Sequence, residues 1–203
     1  MPRLLEQREI HLEFSDIDRM LEKRRIGGMK RSSGIHLSGI IKHVLTAAGQ
    51  LTGEDLGDMM PLRMAVGMAW EMFCVQLWPE LDWQPGEVTR DNVIGSPDGV
   101  SGDVLEEIKA TWMSRLEKTE TKGVIPPPRN IIEIKRWMLQ LAGYLYMMGL
   151  NKARMHVLWV NGDYRNSGPQ YFTYLLEFSQ QELERIWNNL VLPNRAGAKA
   201  EEH

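Results

Sequence analysis

The sequence predicts an α/β (α+β) fold, one central mixed β-sheet flanked by helices. Three observations predict it. With 203 residues, 43% of them hydrophobic, the chain has the size of one domain that buries its own core. Runs rich in Val, Ile and Tyr at 88–112, 153–162 and 170–178 have strand character, and stretches of helical spacing separate them. The strongest helical stretch lies between a hairpin and a pair of strands, an order that neither an all-α nor an all-β chain shows.

Residues 3–25 carry helical spacing, with Ser15 as N-cap of "DIDRMLEKRR" and Gly27 and Gly28 as its stop. A second helix runs through "LSGIIKHVLTAAG", with Ser38 near its start and Gly49 near its end. A third covers "PLRMAVGMAWEMFCVQLW", opened by Pro61 and closed by Pro79. Val88, Val93, Ile94 and Val100 then introduce β-formers punctuated by Gly95, Pro97 and Gly99. A strand, a turn at "SGD" and a second strand "VLEEIKATW" make a hairpin. A polar connector over 113–129 ends in three prolines. The helix "NIIEIKRWMLQLAGYLYMMG" follows, capped by Asn130 and stopped by Gly149. "ARMHVLWVNG" and "QYFTYLLEF" are strands, and Ser179 caps a last helix, "QQELERIWNNL". One domain is expected over 1–203: an N-terminal helical part to residue 60, a core over 61–192 and a frayed tail over 193–203.

Composition excludes some classes. No apolar run approaches the ~18 residues of a membrane span, and "MPRLLEQREIHLEF" lacks the apolar centre of a secretory signal, so a cytoplasmic protein is expected. A single cysteine, Cys74, excludes an intrachain disulfide and a zinc site of several thiolates. The net charge of -3 gives no global reason to bind a polyanion. The local pattern differs, because Lys23, Arg24, Arg25, Lys30 and Arg31 surround two glycines. That patch fits a polyanion or a solvated helix end equally well.

The stretch "GSPDGVSGDVLEEIKA" carries the densest chemistry. Strand side chains alternate, so Glu107 and Lys109 share one face while Glu106 and Ile108 take the other. The short turn after Gly99 can fold Asp98 back beside Glu107. Two carboxylates so close repel unless a cation lies between them, and an all-oxygen ligand set suits Mg²⁺ or Mn²⁺ better than zinc. A neighbouring lysine can orient a water and stabilise charge building on a phosphoryl oxygen. Taken alone, the same pattern is met more often in a surface hairpin whose charges face water.

A second pattern sits on the long helix. Gln140 and Tyr144 are four apart and share a face, which Arg136 extends by another turn. Trp137, Leu139, Leu141, Leu145 and Met148 make that helix mostly apolar, so Gln140 needs hydrogen-bond partners inside it. Such an amide and phenol suit a phosphate backbone or the orientation of a catalytic side chain.

The order of these elements resembles the PD-(D/E)xK nuclease superfamily, in its RecB-like, lambda-exonuclease-like (YqaJ-type) branch with the QxxxY motif. Pro97 and Asp98, Glu107 and Lys109, then Gln140 and Tyr144 carry the resemblance, and Gly67 and Glu71 match its upstream G-x-x-x-E. Four motifs in order, over about residues 31–175, make it specific. It implies a restriction-endonuclease-like core and a metal-dependent DNA exonuclease acting at double-stranded ends, in recombination or repair and of phage origin. By the same resemblance Asp98, Glu107, Glu71 and the Ile108 carbonyl hold Mg²⁺, with Mn²⁺ as a substitute. Lys109 positions the attacking water, and Gln140 and Tyr144 orient Lys109 or the scissile strand. Arg31 and Ser38, seven apart, match a 5′-phosphate pair, although "HLS" replaces the usual "TAS". A single-strand annealing or recombination partner protein and a ring of three subunits are further implications. Two other readings remain: a structure-specific or nicking endonuclease on the same core, and a non-catalytic DNA-binding subunit. Glu71 could instead pair with Arg63; His36 and His43 fit ordinary histidines. The tryptophans fit a core, with Trp112 able to stack on an unpaired base.

Overall fold

A computed structural model describes residues 2–10, 32–50, 60–112, 134–162 and 168–198. Its elements are β1 (Arg3–Ile10), α1 (Leu37–Ala47), α2 (Met60–Leu77), β2 (Asp82–Trp83), β3 (Val88–Arg90), β4 (Val93–Gly95), β5 (Gly99–Ser101), β6 (Val104–Thr111), α3 (Lys135–Met148), β7 (Lys152–Trp159), β8 (Gln170–Glu177) and α4 (Gln180–Ile186). The sheet order is β1-β8-β7-β6-β5-β2, with β3-β4 a separate ribbon. β6 and β7 run parallel and the other neighbours antiparallel, so the α/β fold with a mixed central sheet is the one observed. A parallel pair needs a crossover, and α3 lies in it.

The alternation of side chains gives the sheet two apolar faces. On one, Leu105, Met155, Val157, Phe172 and Tyr174 pack with Ile40, Ile41 and Leu45 of α1 and Leu141 and Leu145 of α3. On the other, Ile108 and Tyr171 pack with Trp70, Phe73 and Cys74 of α2. Gly143 sits where any Cβ would collide with Leu37, so its lack of a side chain sets the close approach of α1 and α3.

Residues 3–10 are an edge strand and not the start of a helix. Their Leu, Glu, Gln and Arg favour a helix locally, but pairing with β8 prevails, and charges on an outer strand discourage further pairing. Residues 11–31 lie outside the described residues, with the basic patch and Arg31; so do the connector and the Asn130 cap. α3 starts at Lys135, with Ile134 at the N-cap position, and ends at Gly149 in the left-handed region (φ 70°). Ser179 caps α4 as expected, accepting from the Glu182 N–H at 3.3 Å.

Part of the expected frayed tail is ordered: a π-helical turn over Trp187–Val191 leads into helical turns reaching Gly197. This stretch fastens the β3–β4 ribbon. Trp187 Nε1 donates to Asp91 Oδ2 at 2.8 Å, Arg195 donates to the Asp91 carbonyl at 2.9 Å, and Trp187 stacks on Tyr146. Arg90 lies 4.1 Å over the other ring of that pair, Tyr146. Among the described residues no helix is long and apolar enough to cross a membrane.

Candidate active site

β6 is the strand on which the site is built. Glu106 and Glu107 are both fully buried on it, and alternation sends them to opposite faces. Lys109 Nζ reaches Glu107 Oε1 at 2.5 Å and Gln140 Oε1 at 3.2 Å, and Gln140 Nε2 donates to the Tyr144 hydroxyl at 3.1 Å. The fourth-residue spacing on α3 and the second-residue spacing on β6 thus meet in one chain of hydrogen bonds, thirty-one residues apart in sequence. Gly95 packs flat on the Tyr144 ring, where a Cβ would sit at 3.0 Å.

Asp98 arrives from the partner strand. Pro97 is buried, and the carboxylate Oδ2 accepts the Ile108 N–H at 2.7 Å, which locks its side chain to the centre of β6. Burial, followed by the nearby Glu107 carboxylate, pushes the Asp98 carboxyl well above its ordinary value, against the pull of Lys109. Burial also raises Glu107, with Lys109 opposing and Glu71 adding to the rise. Glu107 Oε2 is buried with no hydrogen-bond partner. An orphaned carboxylate oxygen beside a second carboxylate is a place where a hard cation fits the donor set. Among the described residues no group of three or more His, Cys, Asp or Glu is gathered as a metal cluster, so the side chains offer a pair there. Glu71, half-buried on α2, stands at the margin, within 3.5 Å of the Gln84 amide.

The other predicted residues are more scattered. Ile108 turns its side chain to the α2 face. Ser38 is the second residue of α1, behind an N-cap position held by His36 with no side-chain cap bond. Arg136 is exposed in the first turn of α3. The neighbour of the undescribed Arg31, Ser32, is held by Glu87, which accepts its N–H at 3.1 Å and also the Ser96 hydroxyl at 3.3 Å. These bonds, the Ser32 hydroxyl foremost, keep the Glu87 carboxyl below its usual range. His36 is buried and bonds the Ser32 carbonyl at 2.8 Å. Trp112 is the most exposed tryptophan, at 37%, while Trp70, Trp137, Trp159 and Trp187 are core residues.

A second polar cluster, on the opposite face, carries no sequence expectation. Arg154 donates to Glu106 Oε1 at 2.9 Å, and His156 Nε2 lies 2.9 Å from Glu106 Oε2. His156 Nδ1 meets the Tyr171 hydroxyl at 2.6 Å, which accepts from Trp78 Nε1 at 2.9 Å. The donors and acceptors balance when His156 Nε2 donates to Glu106 and Nδ1 accepts from Tyr171. Burial pushes the Tyr171 phenol up strongly, so it stays a donor. The partners lie about fifty residues from Glu106 and meet it only through the parallel register of β6 with β7.

No family model matches the chain, and no curated protein does. Several solved structures are similar to it, three proteins among them. One is a phage related exonuclease from Haemophilus somnus 129PT, 10% identical over 78% of this chain and 79% of that chain, with a TM-score of 0.47. Another is LHK-Exo, an alkaline exonuclease from Laribacter hongkongensis. Solved in complex with dAMP, it is 14% identical over 81% and 89% of the two chains, with a TM-score of 0.43. The third, SSO0001, is 12% identical over 90% and 86%, with a TM-score of 0.43.

Proposed function

We propose that this protein is a metal-dependent deoxyribonuclease that hydrolyses phosphodiester bonds at DNA ends. The observation that carries the reading is Glu107: buried, salt-bridged to Lys109 through one oxygen, and bare at the other beside Asp98. Two adjacent carboxylates, one buried and one half-buried, whose charged forms are disfavoured need a cation, and a structural ion pair would have satisfied both oxygens of Glu107.

Asp98, Glu107 and the Ile108 carbonyl would hold Mg²⁺ or Mn²⁺, with Glu71 as the nearby third carboxylate. When bound, the ion lowers the pKa of water and neutralises charge on the phosphoryl oxygens. Lys109 keeps its ammonium at the site because Glu107 and Gln140 take two of its three donors from fixed directions. Its remaining N–H can hold a water or a phosphoryl oxygen. Gln140 is itself fixed by Tyr144, so the ammonium is positioned before substrate arrives. In-line attack on phosphorus breaks the bond to the 3′ oxygen, which leaves with a proton, and the new end carries a 5′-phosphate. Exposed Arg136 and the Arg31–Ser38 pair are candidates for the DNA backbone. A double-stranded substrate, a role in recombination or repair, phage origin, a recombination partner, a three-subunit ring and a cytoplasmic setting extend the same reading.

Linear DNA with 5′-phosphate or 5′-hydroxyl ends, incubated with Mg²⁺ or Mn²⁺ beside a circular control, tests it. Cleavage of the linear forms alone, lost in EDTA and strongly slowed in Lys109→Ala, is the expected result. Circular DNA cut as fast would favour an endonuclease; no cleavage in either metal would sink the reading.

A further inference from the structure

Gln84 follows β2 with φ 55°, a left-handed conformation that a glutamine adopts at a cost. Among the described residues two other non-glycine residues share it, but Asp91 and Asn92 form the tip of the β3–β4 ribbon, where Asp and Asn are at home. Gln84 has no such excuse, and its surroundings hold it in place. Its N–H donates to the Asp98 carbonyl at 2.7 Å. Trp83, the residue before it, is pinned by an Nε1 bond to the Trp78 carbonyl at 2.8 Å and by an edge contact with His156 at 5.6 Å between centroids. Trp83 also lies so close over Gly99 that an added Cβ would stand 2.6 Å from its ring. The main chain at 84 is therefore fixed from the face that carries Glu106 and His156, and the amide side chain extends to Glu71 Oε1 at 3.5 Å, the outer limit of a hydrogen bond.

One residue thus touches the main chain of Asp98 and the carboxylate of Glu71. No other hydrogen bond described at Glu71 leads toward Asp98. Resting on the proposed cation site, we infer that Gln84 is a positioning residue: its strained backbone and its amide set Glu71 relative to Asp98 for divalent cation binding. A glutamine amide is suited to this, because it offers a donor to a carboxylate without adding a charge that would compete with the cation.

The test separates positioning from a merely structural turn. Wild type, Gln84→Gly, Gln84→Ala, Glu71→Gln and the Glu71→Gln/Gln84→Ala double variant are titrated with Mn²⁺ by calorimetry, and their metal-free melting is recorded. Gln84→Gly is expected to melt no lower than wild type, since glycine relieves the left-handed strain, yet to bind Mn²⁺ about tenfold more weakly, at the low end for supporting residues of a metal site. Gln84→Ala is expected to lose the same affinity, and the loss should vanish in the Glu71→Gln background. Affinities within about twofold of wild type in both Gln84 variants, or a loss that adds in full to that of Glu71→Gln, would overturn the inference and leave the cation site standing. Failure of the wild type to bind Mn²⁺ would overturn both.

Discussion

Glu106 and Glu107 are neighbours on one strand, equally buried, and differ in everything their surroundings do for them. Glu106 has both oxygens met at 2.9 Å, one by Arg154 and one by His156. Glu107 has one oxygen met by Lys109, while the other has no hydrogen-bond partner, and the Asp98 main chain lies nearby. A buried carboxylate with complete partners is a structural fixture, whereas an incomplete one stores a demand for positive charge. The difference separates the face of the proposed cation site from its opposite more sharply than burial or charge could.

Removing the ammonium of the incomplete side should have a large effect. Lys109→Ala is expected to slow cleavage of linear DNA by about 10²–10³-fold in single-turnover assays, the range for losing one fixed donor at a reacting oxygen. Folding should be retained. The opposite pattern is expected at Glu106: Glu106→Ala leaves Arg154 and His156 facing a cavity and should lose about 3–5 kcal/mol in urea unfolding. Glu107→Gln, by contrast, should abolish cleavage while the metal-free protein melts no lower, because it removes a charge that the fold disfavours. Equal destabilisation by Glu106→Gln and Glu107→Gln would erase the distinction between the two faces.

A pH series sharpens the comparison further. Folding raises Asp98 and Glu107 from ordinary values of 3.8 and 4.5, so the folded state holds their protons more tightly than the unfolded chain. Their stabilising contribution is full below those ordinary values and is lost as pH rises through the raised ones. The metal-free protein should therefore melt lower as pH climbs above the carboxylate range, and Glu107→Gln should flatten that slope. Saturating Mg²⁺ should protect most at high pH, where it competes with no proton. Far from either glutamate, Ser179→Ala should cost only about 1 kcal/mol by loss of the α4 cap and leave cleavage unchanged.

What could be read ahead of the structure follows from the range of the rules. Strand parity and helix spacing act over two to four residues, and they placed Glu107 with Lys109 and Gln140 with Tyr144. The partners of Glu106 escaped because Arg154 and His156 join it only through the register of two parallel strands. Parity turned Glu106 away from the face of Glu107 and Lys109 but could not say what awaited it there. Residues 3–10 defeat local rules because edge pairing with β8 overrides their preference for helix. The strain at Gln84 had no sequence signal, since nothing in "DWQPG" marks a left-handed glutamine.

The clasp of Trp187 and Arg195 on Asp91 has a bearing on synthesis. The ribbon it holds leads directly into Asp98, so a ribosome must deliver residue 195 before that approach is fastened. Until then the hairpin can form, but its carboxylate is not anchored from behind. On the proposed reading, a growing chain would thus fold most of its sheet before its cleavage site is complete, and a chain ended at Ile186 should keep β-sheet circular dichroism yet bind Mn²⁺ poorly in a calorimetric titration.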